Sequence, residues 1–436
     1  TSADTCSDAR APVQSRGKFV ADAGGCRICM TVAALDDPLI GRIGTIAAGA
    51  RRAPPKIPTA QVLNGIDVLQ RDGFAALQGR RVGLITNQTG LSRDGVSTVR
   101  LLHSAKGVQL KALFSPEHGL EGRLDIPKIG DQQDTTTGLK VFSLYGETRT
   151  PTRESLQDLD TLVFDIQDIG CRFYTYLSTM GNAMQAAADH NLKFVVLDRV
   201  NPVCGTAVDG PILEDGEQSF VGYHTIPVRH GMTAGELARM FSSEKNIKVD
   251  LQIIPVAGWQ RSQWFDETGL TWTNPSPNMR NLNQALLYPG VGLLEMTNLS
   301  VGRGTDTPFE IIGAPWLKEQ RFAEHLNAAG LPGIRFIPVR FTPLSAKFPN
   351  EVCGGVQLII TDRLIVDPLA TGIQLMCSLQ ALHPTDWQTK NLNRLLSSVP
   401  VRDAVLAGRD RHEIQRLWQA ELAKFMERRQ QFLLYE

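Results

Sequence analysis

The sequence has no excess of charge of either sign. Lys plus Arg and Asp plus Glu both number 45, so the formal net charge of the 436-residue chain is zero. A nucleic-acid-binding protein usually carries a basic face, and a protein held on an anionic membrane surface carries a polybasic segment. Neither class fits this composition. The sequence also lacks an apolar run of the roughly 18 residues that a membrane span requires.

A secretory signal peptide is not visible either. Residues 1–20 are polar and mixed, without the basic start and the apolar centre that define such a peptide. The chain starts without Met, which is compatible with removal or replacement of a targeting segment. These residues therefore neither show nor exclude export.

The cysteine and histidine residues do not form a metal-binding pattern. Cys26 and Cys29 make a lone C-x-x-C pair, whereas a zinc ribbon needs two such pairs or added histidines. His118 lacks an H-E-x-x-H motif or an equivalent cluster around it. The sequence predicts no metal, and we expect His118 to contact a substrate or to support a residue that does.

The chain consists of three segments that differ in composition and periodicity. Residues 1–60 are rich in Gly, Ala, Arg and Pro with poor periodicity, which predicts a poorly ordered extension. The remaining chain is too long for one typical core. We expect an α/β domain over residues 61–285 and a smaller α+β domain over residues 286–436.

Strands alternate with helices from residue 62 onward. Apolar runs and turn residues predict strands at 81–86, 110–114, 141–144, 161–164 and 194–197, with helices at 67–77, 96–105 and 173–190. This alternation predicts a parallel sheet covered by helices on both faces. Further strands are expected at 309–312, 334–341 and 356–360, and helices at 282–294 (interrupted by Pro289), 371–382 and 414–426.

Three polar clusters come directly after predicted strands. They are 86–90 (TNQTG), 115–119 (SPEHG) and 165–170 (DIQDIG). In an open parallel sheet the strand carboxyl ends lie along one edge, and ligands bind there. We therefore expect the three clusters to line one cleft, although they are far apart in sequence.

The glycine pattern of a nucleotide site is missing. The turn after the first strand lacks the G-x-G-x-x-G spacing of a dinucleotide site, and no P-loop follows a strand. The sequence therefore disfavours phosphate cofactors, a nicotinamide-dependent reaction among them, and we expect no cofactor.

The clusters instead combine carboxylates, amides and hydroxyls with nearby aromatic residues, a mixture suited to sugars. Glycoside cleavage needs an acid to protonate the leaving oxygen and usually a second carboxylate at the anomeric centre. Glu117, at a strand end, is the candidate acid. Asp165 and Asp168 are candidates for the second role, but an Asp after a strand often only caps the next helix, and both interpretations stay open.

Short motifs recur through the chain in a fixed order. They are 64–69 (NGIDVL), 83–90 (GLITNQTG), 114–119 (FSPEHG), 164–170 (FDIQDIG), 172–176 (RFYTY), 197–202 (LDRVNP), 209–211 (DGP), 229–232 (RHGM), 275–278 (PSPN), 297–305 (TNLSVGRGT) and 308–310 (PFE). Together they resemble the NamZ-type exo-β-N-acetylmuramidases, long catalogued as a domain of unknown function. The resemblance runs from about residue 62 to the C-terminus.

The resemblance implies a Rossmann-like catalytic domain and a smaller C-terminal auxiliary domain. It implies release of terminal N-acetylmuramic acid from the non-reducing end of peptidoglycan fragments, in the periplasm or outside the cell. The glutamate that this family uses corresponds to Glu117. A non-catalytic muropeptide-binding protein on the same fold is the alternative.

Residues of the motifs supply the candidate substrate-binding set: Asn87, Thr89, Gly90, His118, Gln167, Arg172, Tyr174, Tyr176, Arg199, Asn201, His230, Asn278 and Arg303. Muramic acid differs from N-acetylglucosamine by a lactyl carboxylate, which a guanidinium binds well. Arg172 is favoured over Arg199 and Arg303 because it lies between the 165–170 cluster and the aromatic run. Arg199 has a structural ion pair as its alternative role, and Arg303 an ion pair between the domains.

Overall fold

The computed structural model describes residues 61–436; the predicted extension and the Cys26–Cys29 pair lie outside the described residues. The strands are β1 Arg81–Thr86, β2 Gln109–Ser115, β3 Gln132–Gln133, β4 Lys140–Ser143, β5 Thr161–Asp165, β6 Lys193–Leu197, β7 Asp209–Ile212, β8 Pro227–Arg229, β9 Asp250–Ile254, β10 Ile311–Ala314, β11 Ile334–Phe341 and β12 Cys353–Ile360. The α-helices are α1 Gly65–Arg71, α2 Thr98–Ser104, α3 Tyr176–Asp189, α4 Ala234–Glu244, α5 Leu282–Val291, α6 Glu319–Ala328, α7 Pro368–Leu382, α8 Asn393–Leu396, α9 Val399–Leu406, α10 Arg411–Arg416 and α11 Gln419–Arg429.

A seven-stranded sheet organises the first part of the described chain. Its strand order is β3-β4-β2-β1-β5-β6-β9, and all neighbours are parallel except β3, which runs antiparallel to β4. Every residue of β5 is buried, as are five of the six residues of β1, because helices cover both faces. The chain winds outward in both directions from the β1–β5 pair, which is the arrangement that opens a ligand crevice at the strand carboxyl ends.

The five strands predicted for this sheet are all present, and the α/β prediction is confirmed. The sequence analysis missed β9 and β3 because both lie at the edges. Four of the five β9 residues are only partly buried or exposed, so the continuous apolar run of a central strand is absent there.

A second, antiparallel sheet with the order β10-β12-β11 lies in the C-terminal part, with α6 and α7 packed nearby. This confirms the expected α+β character. One apolar core crosses the predicted boundary at residues 285/286: it includes Phe164 and Met184 before that point and Leu293, Ile312 and Phe322 after it. The two parts are therefore packed through a shared core.

Two helix predictions in this part were wrong. Pro289 does not interrupt α5, which continues to Val291. The backbone of Gly290 lies against Pro368 and Gly372 of α7, so tertiary packing offsets the hydrogen bond that Pro289 cannot donate. A single long C-terminal helix is also absent, because α10 and α11 are separate. The break falls at Trp418, whose buried indole donates a hydrogen bond to Asp209 at 2.9 Å.

Between residues 61 and 436, the structure contains no helix that combines the length and the apolar character needed to cross a membrane.

Candidate active site

A pocket of about 150 Å³ lies at the carboxyl end of β2, where both parts of the chain contribute side chains. Glu117 and His118 enter it from the loop after β2. Asn278 comes from the segment before α5, and Arg303 from the loop before β10. The sequence analysis predicted that these four residues bind or convert substrate, and the structure brings them together.

The local backbone explains why the Glu117 side chain stands at the sheet edge. The end of β2 is buried through Ser115, and the chain then turns through left-handed conformations at His118 (φ 71°) and Gly119 (φ 76°). Glu117 is half-buried at this turn. Thr175, at the start of α3, donates a hydrogen bond to Glu117 Oε2 at 2.5 Å and orients the carboxyl group.

His118 is oriented by the loop that carries it. Its Nδ1 donates to the carbonyl oxygen of Leu124 at 2.6 Å. A neutral ring in this tautomer has Nε2 free to accept a hydrogen bond. His118 can therefore contribute an acceptor beside Glu117.

Aromatic rings line the inner side of the pocket. Tyr174 and Tyr176 meet edge to face at 4.9 Å between centroids, and Tyr288 meets Phe309 in the same way at 4.6 Å. The Tyr176 hydroxyl donates to the carbonyl oxygen of Pro275 at 2.5 Å. These rings give the pocket an aromatic lining next to its charged residues, with the Tyr288 hydroxyl donating to Glu295 at 3.2 Å. Such a lining can hold the apolar face of a sugar ring.

A charged cluster lies beside Glu117. Arg303 donates to Asp125 Oδ2 at 2.8 Å and to Glu295 Oε1 at 3.2 Å, and Asn278 donates to Asp125 at 3.1 Å. Burial acts to raise the pKa of Asp125, but Arg303 and Asn278 outweigh it and leave the pKa lowered. Burial raises the pKa of Glu295 despite Arg303, and the charge of Glu117 adds to this increase. The cluster thus holds two carboxyl groups of different basicity.

Several residues of this pocket were missed by the sequence analysis. Asp125 has no pattern around it that marks a site. Glu295 precedes the 297–305 motif by two residues, and Thr175 lies inside the 172–176 motif, so only those two had a signal nearby. Tyr145 also faces Glu117: burial and then the neighbouring carboxylate raise the pKa of Tyr145 to about 12.

Asp165 does not lie in the Glu117 pocket. Its side chain is fully buried, and it accepts hydrogen bonds from Arg199 Nε at 2.6 Å, Arg199 Nη2 at 3.0 Å and Thr98 at 2.5 Å. All of these bonds hold the ends of β5 and β6 to the start of α2. The geometry supports the structural alternative for Asp165 and equally for Arg199.

Asp168 does not line the Glu117 pocket either. It accepts a hydrogen bond from the backbone N–H of Gly170 at 2.7 Å, and its Oδ2 lies 3.6 Å from Nε2 of His230, which is fully buried. The backbone N–H of Met232 donates to His230 Nδ1, so the proton of the neutral ring is on Nε2 and faces Asp168. This pair joins two loops and does not reach the pocket.

Arg172, the favoured lactyl partner, is buried in the protein interior with 1% of its surface exposed. Among the described residues, its guanidinium donates only to backbone carbonyl oxygens, those of Pro211, Ile226, Leu395 and Leu396. Because the last two belong to α8, Arg172 ties that helix to the first part of the chain. The preference for Arg172 as a carboxylate-binding residue is corrected by this placement.

The three strand-end clusters share one sheet edge but do not line one cleft. Thr89, Gln167 and Arg199 face a second pocket of about 240 Å³, and Asn87 and Gly90 face a third of about 280 Å³. Polar side chains of these turns form hydrogen bonds within the turns, such as those from Thr89 to Asn87 (2.5 Å) and from Gln167 to the Asp168 carbonyl (2.7 Å).

Asn201, another candidate from the motifs, is also used internally. Its side chain is buried, donates to the Met232 carbonyl at 3.0 Å and accepts from the backbone N–H of Val203 at 3.2 Å. Asn201 therefore stabilises the loops and does not line the Glu117 pocket.

Comparison with known proteins connects this geometry to a family. Residues 82–283 match the model described as exo-beta-N-acetylmuramidase NamZ, N-terminal, and residues 286–435 match the corresponding C-terminal model. The peptidoglycan beta-N-acetylmuramidase NamZ of Bacillus subtilis is 41% identical over 399 residues, which cover 90% of this chain and 96% of that protein.

Two crystal structures of DUF1343 family proteins from Bacteroides fragilis are similar as well. One has a TM-score of 0.81 at 37% identity and matches 87% of this chain and 100% of its own. The other has a TM-score of 0.71 at 30% identity and matches 86% of this chain and 99% of its own. Both family models and these relatives together span nearly all of the described chain, and the chain therefore belongs to the NamZ family of exo-β-N-acetylmuramidases, which are glycoside hydrolases.

Proposed function

We propose that this muramidase binds the terminal, non-reducing N-acetylmuramic acid of peptidoglycan-derived saccharides in the Glu117 pocket, and that Glu117 protonates the leaving oxygen. The observation that carries the proposal is the pocket itself. In it, a half-buried glutamate held by Thr175 shares one lining with aromatic rings and two further carboxyl groups.

The chemistry follows from these groups. The proton of Glu117 goes to the glycosidic oxygen as the bond from that oxygen to the anomeric carbon breaks. Water supplies the new hydroxyl group, and its other proton restores the protonated form of Glu117. Positive charge develops at the anomeric carbon, and nearby carboxylates stabilise it. Asp125 and Glu295 replace Asp165 and Asp168 as candidates for this second role. Glu295 is the stronger base of the two, because burial raises its pKa whereas that of Asp125 is lowered.

Hydrolysis of a N-acetylmuramyl-β-1,4-N-acetylglucosamine disaccharide tests the proposal. We expect stoichiometric release of free N-acetylmuramic acid, with no requirement for an added nucleotide or metal. Binding of the disaccharide without release would instead support the non-catalytic muropeptide-binding alternative.

Arg303 lies in the pocket, unlike Arg172 and Arg199. Its guanidinium already forms ion pairs with two carboxylates, those of Asp125 and Glu295. We propose that it positions Asp125 and Glu295. Arg303→Met should lower kcat on aryl muraminides and aryl N-acetylglucosaminides by the same factor, about tenfold, because a charge-assisted pair is lost from the same pocket for both sugars.

The pH profile distinguishes this role from simple destabilisation. Removal of the cation raises the pKa of both carboxyl groups, so the acidic limb of the kcat/KM profile should move to higher pH. Arg340→Met, which breaks an exposed pair with Glu319, is the matched control and should leave the profile in place. A selective loss of muraminide activity would show that Arg303 binds the lactyl carboxylate instead.

We also propose that the enzyme acts in the periplasm or outside the cell, where peptidoglycan is located. Fractionation of cells that produce the untagged protein, followed by immunoblotting of each fraction, tests this location. Recovery in the cytoplasmic fraction alone would contradict it.

A further inference from the structure

A second, larger cavity continues outward from the Glu117 pocket. This outer groove has a volume of about 620 Å³, within the range of about 300–1,000 Å³ that is usual for ligand sites. Glu117, Asp125, Thr175 and Arg303 line both cavities, so the two are continuous at the proposed acid. The far walls of the groove come from the loops around residues 145–149 and 217–221 and from α8.

Two arginines on these walls have no carboxylate partner within the described residues 61–436. Arg149 and Arg394 are exposed, and neither forms an ion pair, in contrast to Arg199 and Arg303. Glu217 is the acidic residue on the same walls that is likewise unpaired in this part of the chain. The two unpaired arginines outnumber this one glutamate, so the net unpaired charge on the far walls is positive.

Arg149 is held in place without being neutralised. Its guanidinium carbon lies 4.1 Å from the ring centroid of Phe220 and 5.4 Å from that of Tyr145, and these two rings are 5.9 Å apart. A cation over aromatic faces keeps its full charge and its hydrogen-bond donors at the ring edges. Tyr145 also faces Glu117, so the stacked arginine borders the proposed bond-cleaving position.

Arg394 is anchored through its helix. It lies on α8, whose Leu395 and Leu396 carbonyl oxygens accept hydrogen bonds from Arg172 Nη2 at 2.9 Å each. The buried guanidinium of Arg172 thereby fixes the backbone that presents Arg394 to the groove. Arg172, which is buried, therefore positions Arg394, which lines the groove.

We infer that the outer groove is a carboxylate-recognition subsite, in which Arg149 and Arg394 bind the lactyl carboxylate of a muramic acid residue. The inference rests on the proposed function, because it assumes that the scissile bond lies at Glu117. Guanidinium groups bind carboxylates with two parallel hydrogen bonds, and two unpaired arginines can hold one such group. The carboxylate belongs either to the muramic acid being released or to the next muramic acid along the saccharide.

Three substrates separate these sources: an aryl muraminide with a free lactyl carboxylate, its lactyl methyl ester, and a peptide-free tetrasaccharide that contains a second muramic acid. The proteins are wild type, Arg149→Met, Arg394→Met and the double variant. Arg321→Met, an exposed arginine on α6, is the matched control.

If the released sugar supplies the carboxylate, the ratio of kcat/KM for the free acid to that for the ester falls about tenfold or more in the double variant, since both charge-assisted contacts to the carboxylate are lost. If the next muramic acid supplies it, the ratio of tetrasaccharide to aryl muraminide falls by a similar factor. Arg149→Lys should recover part of either loss, because it restores the charge but not the paired donors.

Unchanged ratios in the double variant, with wild-type activity on all three substrates, would overturn the inference and leave the proposed function intact. A wild-type protein that hydrolyses none of them would contradict the proposed function itself.

Discussion

Glu117→Gln is expected to lower turnover of the muramyl-glucosamine disaccharide by about a hundredfold or more, because an amide cannot deliver the proton that the leaving oxygen needs. The amide oxygen can still accept the hydrogen bond from Thr175, so the fold and the pocket should persist. The measurement is kcat on the disaccharide, with thermal unfolding of the same preparation to establish that the variant is folded.

The leaving group provides the internal check for Glu117. An aryl muraminide with a strongly acidic leaving group depends less on protonation, so the same variant should lose much less activity on it. Glu121→Gln, an exposed glutamate four residues further along the chain, is the matched control and should behave as wild type. A folded Glu117→Gln variant with near-normal turnover of the disaccharide would remove Glu117 from the mechanism.

Asp165→Ala is expected to destabilise the protein by about 3–5 kcal/mol, because it leaves the charge of Arg199 buried without a partner. Arg199 has 5% of its side chain exposed and Asp165 has none, so the pair is largely shielded from solvent. The change should appear as a lower midpoint in urea unfolding with a similar slope. Asp72→Ala, which removes an exposed pair with Arg71, should leave the midpoint unchanged.

A double replacement separates the structural role of Asp165 from a catalytic one. Asp165→Leu combined with Arg199→Met removes both buried charges and should recover much of the stability lost in Asp165→Ala. The recovered protein should also retain muramidase activity. An active-site carboxylate would give the opposite pattern for Asp165→Asn: little change in the unfolding midpoint and a large loss of kcat.

The central strands were predictable because burial on both faces requires a recognisable run of apolar residues. β1 and β5 are buried on both faces, so each is an uninterrupted apolar run that ends in polar turn residues. No comparable sequence pattern identifies the edge strand β9 or the break between α10 and α11. Trp418 fits the apolar stripe of one long helix, and only its buried contact with Asp209 shows that the chain turns there.

The position of Glu117 followed from one rule, that residues after parallel strands meet at a common edge. That rule does not say which way each loop then faces. Asp165 and Glu117 both follow a strand, yet one pairs with a buried arginine and the other borders a pocket. Arg303 and Asp125 are 178 residues apart, and no local pattern connects them.

The motifs do not show whether an arginine is buried or exposed. Arg172 and Arg303 both stand in motifs and have the same chemistry, but 1% of Arg172 is exposed and its Nη1 and Nη2 atoms donate to backbone carbonyl groups. The free cations of the groove, Arg149 and Arg394, lie outside every motif used to identify the family. Partners in space therefore distinguish binding arginines from structural ones.

A crystal structure of the Glu117→Gln variant with the muramyl-glucosamine disaccharide bound would show directly whether the scissile bond lies at position 117. We expect the muramic acid ring against Tyr174 and Tyr176, with the glycosidic oxygen within hydrogen-bonding distance, about 2.6–3.2 Å, of the substituted side chain. A disaccharide bound instead in the pocket beside Thr89 and Arg199, with its scissile bond away from position 117, would contradict this expectation.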